Sequence, residues 1–217
     1  MKKGLTELVF IMDKSGSMSG LEKDTIGGYN AMLHKQRKVE GECRLTTVLF
    51  NDGYELLHDR KDIRQAHEIT EKEYRVGGST ALLDAIGRTI DTISVSQKYA
   101  ADHERAENVL FVIITDGEEN SSREYSSAKV KAQIEWHKEK EGWEFIFLGA
   151  NIDAVQTAGC YGIAPERAVD YLADSEGTEL NFKVMDQTVT SFRQAGKVEA
   201  SSFEDIQKDV KNRGDRK

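Results

Sequence analysis

Seven consecutive residues, Val109 to Thr115 (VLFVIIT), carry no charge and show no apolar–polar alternation. A strand with one face in water alternates with period two, so a run apolar throughout has to be covered on both faces. A shorter run of the same kind, Leu8 to Met12, stands near the start of the sequence. Each run ends on an acid: Asp13 follows the first and Asp116 the second. Doubly buried strands require helices above and below a sheet. In 217 residues that fits one α/β domain with a full core, or at a stretch two small ones.

The remaining pattern agrees. Further short strands are read at Leu45 to Phe50, Tyr54 to Leu57, Phe145 to Leu148 and, more weakly, Ala168 to Leu172. Asn51-Asp52-Gly53 between two of them is a hairpin signal. Helical spacing appears in Leu21 to Lys38 (Ile26, Tyr29, Met32, Leu33) and Leu82 to Tyr99 (Leu83, Ile86, Ile90, Ile93). It recurs in Ser126 to Lys140 (Val130, Ile134, His137) and Leu180 to Gln194 (Val184, Val189, Phe192). The expected fold class is α/β: an open, mostly parallel six-stranded sheet with one antiparallel edge strand and helices on both faces. The first and fourth strands are expected at its middle. Residues 1–195 are read as the domain. Residues 196–217, where apolar residues thin out, are read as a charged, flexible tail that frays from Lys208 onward.

Charge narrows the partners. Asp and Glu number 38 against 30 Lys and Arg, a net charge of -8, which disfavours nonspecific nucleic-acid binding and favours cations. The two cysteines, Cys43 and Cys160, form no framework and read as reduced thiols. Lys2 and Lys3 before Leu8 to Met12 mimic a secretory signal, but the run is short, adjoins Glu7 and is followed by no small-residue cleavage site. No stretch approaches the ~20 apolar residues of a membrane span. A cytoplasmic protein without a membrane partner is therefore expected, and Arg213-Gly214-Asp215 in such a chain reads as a chance tripeptide.

The chemistry gathers at Asp13-Lys14-Ser15-Gly16-Ser17-Met18, directly after the first buried strand and before a helix. Open α/β sheets place ligand sites at the carboxyl ends of strands. Alternate residues of an extended turn point the same way, so Asp13, Ser15 and Ser17 can converge, with Gly16 permitting a tight backbone. Carboxylate and hydroxyl oxygens suit a hard cation such as Mg²⁺. Zinc or copper is a poor match, because no His or Cys is present there. The five histidines (His34, His58, His67, His103, His137) are scattered and form no HExxH pattern.

Two more segments, Gly77-Gly78-Ser79-Thr80-Ala81-Leu82 and Ile114-Thr115-Asp116-Gly117-Glu118-Glu119-Asn120, complete a set. Together with DKSGSM they resemble the metal-ion-dependent adhesion site (MIDAS) of the von Willebrand factor type A family, whose pattern runs Asp-x-Ser-x-Ser, then Thr, then Asp. All five positions match, and the resemblance covers roughly Thr6 to Tyr171. The segment Phe147 to Ala154 is more loosely similar to the stretch after the fifth strand in small stand-alone bacterial and phage domains of this type. The resemblance implies metal ligation by Asp13, Ser15, Ser17, Thr80 and Asp116, by Mg²⁺ foremost and Mn²⁺ or Ca²⁺ as alternatives. It also implies an open coordination position for an Asp or Glu from a protein partner. Asn151 and Asp153 either rim this site or cap a short helix, the cap being preferred. Glu118 and Glu119 either raise cation affinity or belong to a solvated loop.

The resulting expectation is a non-catalytic, divalent-metal-dependent protein-binding module. Mg²⁺-dependent phosphoryl transfer is the first rival. It resembles Asp-x-Asp-x-Thr phosphatases, but Ser15 stands where the second Asp would act as general acid. Nucleotide binding is weaker still, because Gly16 to Gly20 lacks both GxGxxG spacing and a P-loop lysine. A structural scaffold with an idle metal site is the third reading.

Overall fold

The computed structural model describes residues 1–214, and Asp215 of the Arg-Gly-Asp tripeptide lies outside them. Six strands form one sheet: β1 (Lys2–Asp13), β2 (Cys43–Phe50), β3 (Tyr54–Asp62), β4 (Ala106–Thr115), β5 (Glu144–Gly149) and β6 (Ala168–Asp170). Their order is β3-β2-β1-β4-β5-β6, so β1 and β4 are neighbours at the centre, as expected. Every pairing is parallel except the β2–β3 hairpin at the edge, which turns at Asn51-Asp52-Gly53.

Among the described residues, six α-helices cover the sheet: α1 (Glu22–Gln36), α2 (Leu82–Tyr99), α3 (Ser127–Glu141), α4 (Ala154–Cys160), α5 (Ser175–Ala195) and α6 (Glu204–Arg213). The strand alternation divides two cores. Leu8, Phe10, Met12, Leu110, Val112 and Ile114 pack with Tyr29 and Leu33 of α1 and Phe182, Met185 and Phe192 of α5. Val9, Ile11, Phe111 and Ile113 point the other way, onto Ile86, Ile90 and Ile93 of α2 and Val130 and Ile134 of α3. Both faces of β1 and β4 therefore meet apolar side chains, which is why neither run alternates.

The C-terminal expectation is corrected. Ala200–Phe203 forms a 3-10 turn and α6 follows it, in place of a tail. Phe203 and Ile206 are each 1% exposed and join the α1–α5 core, with partly buried Val210 against them. The three apolar residues fall at helical spacing and supply a packing stripe despite the surrounding charges. Arg213 closes the helix by donating to Asp209 Oδ2 at 2.6 Å and to Asp174 Oδ2 at 2.8 Å. α5 also starts earlier than its apolar pattern, because Asp174 caps it by accepting from the Gly177 amide at 2.8 Å. Among the described residues, no helix is long and apolar enough to cross a membrane.

Candidate metal centre

The carboxyl ends of β1 and β4 lie side by side, with Met12 registered on Ile114. This places the Asp13 turn next to the Asp116 turn. A third loop, 77–81, is tied to the first by backbone: the Gly77 amide donates to Lys14 O at 2.9 Å and the Gly16 amide to Gly78 O at 3.0 Å. Gly78 has φ +78°, which strains any side chain, and a Cβ there would also lie 2.0 Å from Asp52 Oδ1 and force that side chain to move. The same loop is held from the hairpin, where the Asn51 Nδ2 amide donates to Gly77 O at 2.7 Å and the Ala81 amide donates to Asn51 O at 2.8 Å.

The five residues singled out from sequence come together here. Asp13, Ser15, Thr80 and Asp116 are buried, and Ser17 is exposed at the mouth. The Ser15 and Ser17 hydroxyls are 3.0 Å apart, and Ser17 Oγ donates to Asp116 Oδ1 at 2.5 Å. Gly117 keeps the middle open: a Cβ on it would sit 3.0 Å from Ser17 Oγ and 3.3 Å from Thr80 Oγ1. Asp13 Oδ1 accepts from the Ser15 amide at 2.7 Å, an Asx-type turn that sets the direction of the loop.

Electrostatically the pocket is short of positive charge. Burial raises the Asp116 carboxyl to about 6, against the Ser17 hydrogen bond that lowers it, and the Asp13 charge adds to the rise. Burial also raises Asp13, opposed by hydrogen bonds from Thr115 and Ser15. Asp116 Oδ2 is buried with no hydrogen-bond partner. A carboxylate oxygen in that position carries an unmet desolvation cost. Two buried carboxylates, one with an orphaned oxygen, beside three hydroxyls around a glycine-lined space match the oxygen-donor chemistry of a hard divalent cation. Among the described residues no three His, Cys, Asp or Glu side chains gather as a metal cluster, and three of the five candidate residues here offer hydroxyls.

Several supporting residues escaped the sequence reading. Thr115 Oγ1 donates to Asp13 Oδ2 at 2.7 Å and is the only hydroxyl in the long apolar run, a signal in retrospect. Tyr74 donates its phenol to the Asp13 carbonyl at 2.5 Å. Burial, with the Asp13 and Asp116 charges adding, raises the Tyr74 and Tyr171 phenols, which keeps both protonated beneath the site. Asn120 clasps Thr80 from β4's loop, its Oδ1 accepting from the Thr80 amide at 2.9 Å while its own amide donates to Thr80 O at 3.1 Å.

The flanking acids separate by role. Glu119 accepts from the Leu83, Ser121 and Ser122 amides at 2.8, 2.9 and 2.7 Å, so it anchors the start of α2. Glu118 is exposed. Asp153 caps α4 by accepting from the Gln156 amide at 2.8 Å, in agreement with the preferred reading. Asn151 is exposed, with φ +56°.

No family model matches the sequence, and no curated protein is significantly similar to it. Solved structures do match. A von Willebrand factor type A protein from Catenulispora acidiphila aligns at TM-score 0.55 and 14% identity, covering 85% of this chain and 42% of its own. Proximal thread matrix protein 1 of the mussel byssus, solved with a zinc-occupied MIDAS motif, aligns at TM-score 0.56 and 13% identity, covering 85% and 46%. BatB from Bacteroides thetaiotaomicron, a conserved hypothetical protein, aligns at TM-score 0.53 and 14% identity, covering 88% and 100%. The chain thus spans less than half the length of the first two. These likenesses, with the central β1–β4 pair and helices on both faces, establish that the chain has the von Willebrand factor type A fold.

Proposed function

We propose that this chain is a divalent-metal-dependent protein-binding module that catalyses no reaction. The observation that carries the reading is Asp116 Oδ2, buried and unpartnered, on the carboxylate whose other oxygen accepts from the Ser17 hydroxyl. Asp13 and Asp116 would supply the charge for a cation, and the three hydroxyls would complete its protein ligands. A bound ion would offer a strong positive charge and an outward position open to an Asp or Glu of a partner protein. Mg²⁺ is the first choice on donor chemistry, with Mn²⁺ and Ca²⁺ as alternatives. The zinc in the mussel protein's motif adds Zn²⁺ to the ions that need testing.

The chain's own residues prepare the site without a ligand. Thr115 and the Ser15 amide fix both oxygens of Asp13. Asn120 fixes the backbone from which the Thr80 hydroxyl projects. The serines' hydrogen bonds run to each other and to Asp116, a carboxylate that a bound cation would hold away from the work of a base. Among the described residues, none of the five histidines is hydrogen-bonded to either serine.

Thermal melts in EDTA and with Mg²⁺, Mn²⁺, Ca²⁺ or Zn²⁺ test the metal. At a hundredfold excess over Kd the expected gain is about 2.7 kcal/mol. That corresponds to roughly 5–10 °C for a domain of this size. Asp116→Asn should lose the shift, and it should melt higher than the parent in EDTA because one of two repelling carboxylates is gone. An unchanged metal shift in Asp116→Asn would remove the site. Partner capture that survives both EDTA and Thr80→Ala would leave the metal structural and end the adhesion reading. Phosphomonoester turnover lost in Ser15→Ala would make the protein an enzyme.

A further inference from the structure

At the opposite end of the sheet, where β4 and β5 begin, a cleft of about 670 Å³ opens between the C-terminal halves of α2 and α3. That volume is within the range of small-molecule sites. Two indoles line it. Trp143 is buried and stacked on His137, with ring centroids 3.9 Å apart, whereas Trp136 is 50% exposed. A half-exposed tryptophan on a helix that otherwise turns charges to water is the unusual feature here.

The polar lining is unbalanced. Gln97 is 5% exposed, its Oε1 accepting from the Ala106 amide at 3.0 Å, while its Nε2 is buried with no partner. Arg105 Nε is likewise buried and unpartnered. Lys98 and Lys140 stand at the rim. The two acids of the lining are already engaged: Glu107 accepts from the Gly4 amide at 2.7 Å and Glu141 from His137 at 2.7 Å. The two orphaned buried atoms of the lining, Gln97 Nε2 and Arg105 Nε, are both donors, and they lie beside flat apolar surface. Buried donors without acceptors are costly unless something arrives to satisfy them.

We infer that this cleft binds a small planar organic anion, an aromatic ring bearing a carboxylate. The ring lies against Trp136 and Trp143, and the carboxylate accepts from Gln97 Nε2 and the Arg105 guanidinium. The site lies at the other end of the strands from Asp13 and Asp116, so it stands or falls independently of the metal reading.

Trp136 and Trp143 are the chain's two tryptophans, so their indole N–H resonances report on the cleft directly. The probe is 2-naphthoate, compared with neutral 2-naphthamide and cationic 2-naphthylmethylammonium, titrated into ¹⁵N-labelled protein. The expected result is saturable movement of both indole signals with naphthoate, at least tenfold weaker binding of the amide and none of the cation. Gln97→Glu keeps the acceptor for the Ala106 amide and replaces the donor. It should melt below the parent, because a carboxyl replaces a buried amide, yet keep the parent's folded spectrum at 25 °C and bind naphthoate at least tenfold less tightly there. Equal binding of all three probes, unaltered binding by Gln97→Glu, or no movement of either indole would overturn the inference. Indole shifts that depend on protein concentration alone would also overturn it, because the cleft would then be covered by a second copy of the chain.

Discussion

Thr115 donates to Asp13 across the central strand pair, 2.7 Å from hydroxyl to carboxylate and 102 residues apart in sequence. The bond fixes the one Asp13 oxygen that the Ser15 amide does not hold. It also explains why a hydroxyl ends the apolar run Val109 to Ile114.

Removing that hydroxyl while keeping the shape is the most direct test of its role. Thr115→Val leaves a buried carboxylate oxygen short of its donor. Stability in EDTA should fall by about 1–3 kcal/mol. Metal affinity should fall by roughly 10–100-fold, the usual effect of losing a group that orients a ligand. Calorimetric titration with Mg²⁺ measures the second effect and urea melts the first. Affinity equal to the parent's would show that Asp13 needs no such support.

Gly117→Ala separates space from charge. Its added methyl would lie 3.0 Å from Ser17 Oγ and 3.3 Å from Thr80 Oγ1, inside the donor set. No charge changes and no ligand atom is removed. The stabilisation by divalent ions should shrink to less than half, with a melting temperature in EDTA within a few degrees of the parent. A full metal shift would mean that the ion does not occupy this space.

Much of this was legible in sequence, and for identifiable reasons. The runs ending in Asp13 and Asp116 needed no partner to be read, because lack of alternation already specifies burial on both faces. Asp13, Ser15 and Ser17 share one turn, so their convergence follows from local geometry. Thr80 and Asp116 became recognisable through a resemblance rather than through spacing. Tyr74 and Asn120 were invisible because their roles depend on which loops the sheet brings together. Helix α6 was missed because Phe203, Ile206 and Val210 are three apolar residues amid many charges, and only the surface formed by α5 and β6 gives them something to bury against.

That face makes α6 part of the fold, so truncating its anchor should be felt globally. Phe203→Ala should destabilise the protein by about 3–5 kcal/mol, the usual range for a buried phenylalanine. Chemical denaturation measures it. A loss under 1 kcal/mol would restore the reading of a dispensable tail.

Acid should act through His58. The side chain is 3% exposed, with Nδ1 3.0 Å from Thr47 Oγ1, and burial, reinforced by the charge of neighbouring His67, lowers its pKa to about 4. The unfolded chain takes up a proton near 6.5, whereas the folded chain resists until about 4. Stability is therefore complete above pH 6.5 and declines as pH falls to about 4, by roughly 3 kcal/mol in total. Between pH 7 and pH 5 the parent should lose about 2 kcal/mol more than His58→Gln. Parallel pH profiles in urea melts of the two proteins would show that His58 is protonated in the fold.

The central adjacency of β1 and β4 also determines how this protein can be divided. The exposed turn at 101–104, between α2 and β4, separates one piece bearing Asp13, Ser15, Ser17 and Thr80 from another bearing Thr115 and Asp116. Neither piece owns a complete donor set, and each lacks the strand that its own central strand leans on. On the proposed metal site, the halves of a protein split there would reunite through the sheet and be tightened by the cation, so the fraction reassembled should rise with the concentration of free divalent metal.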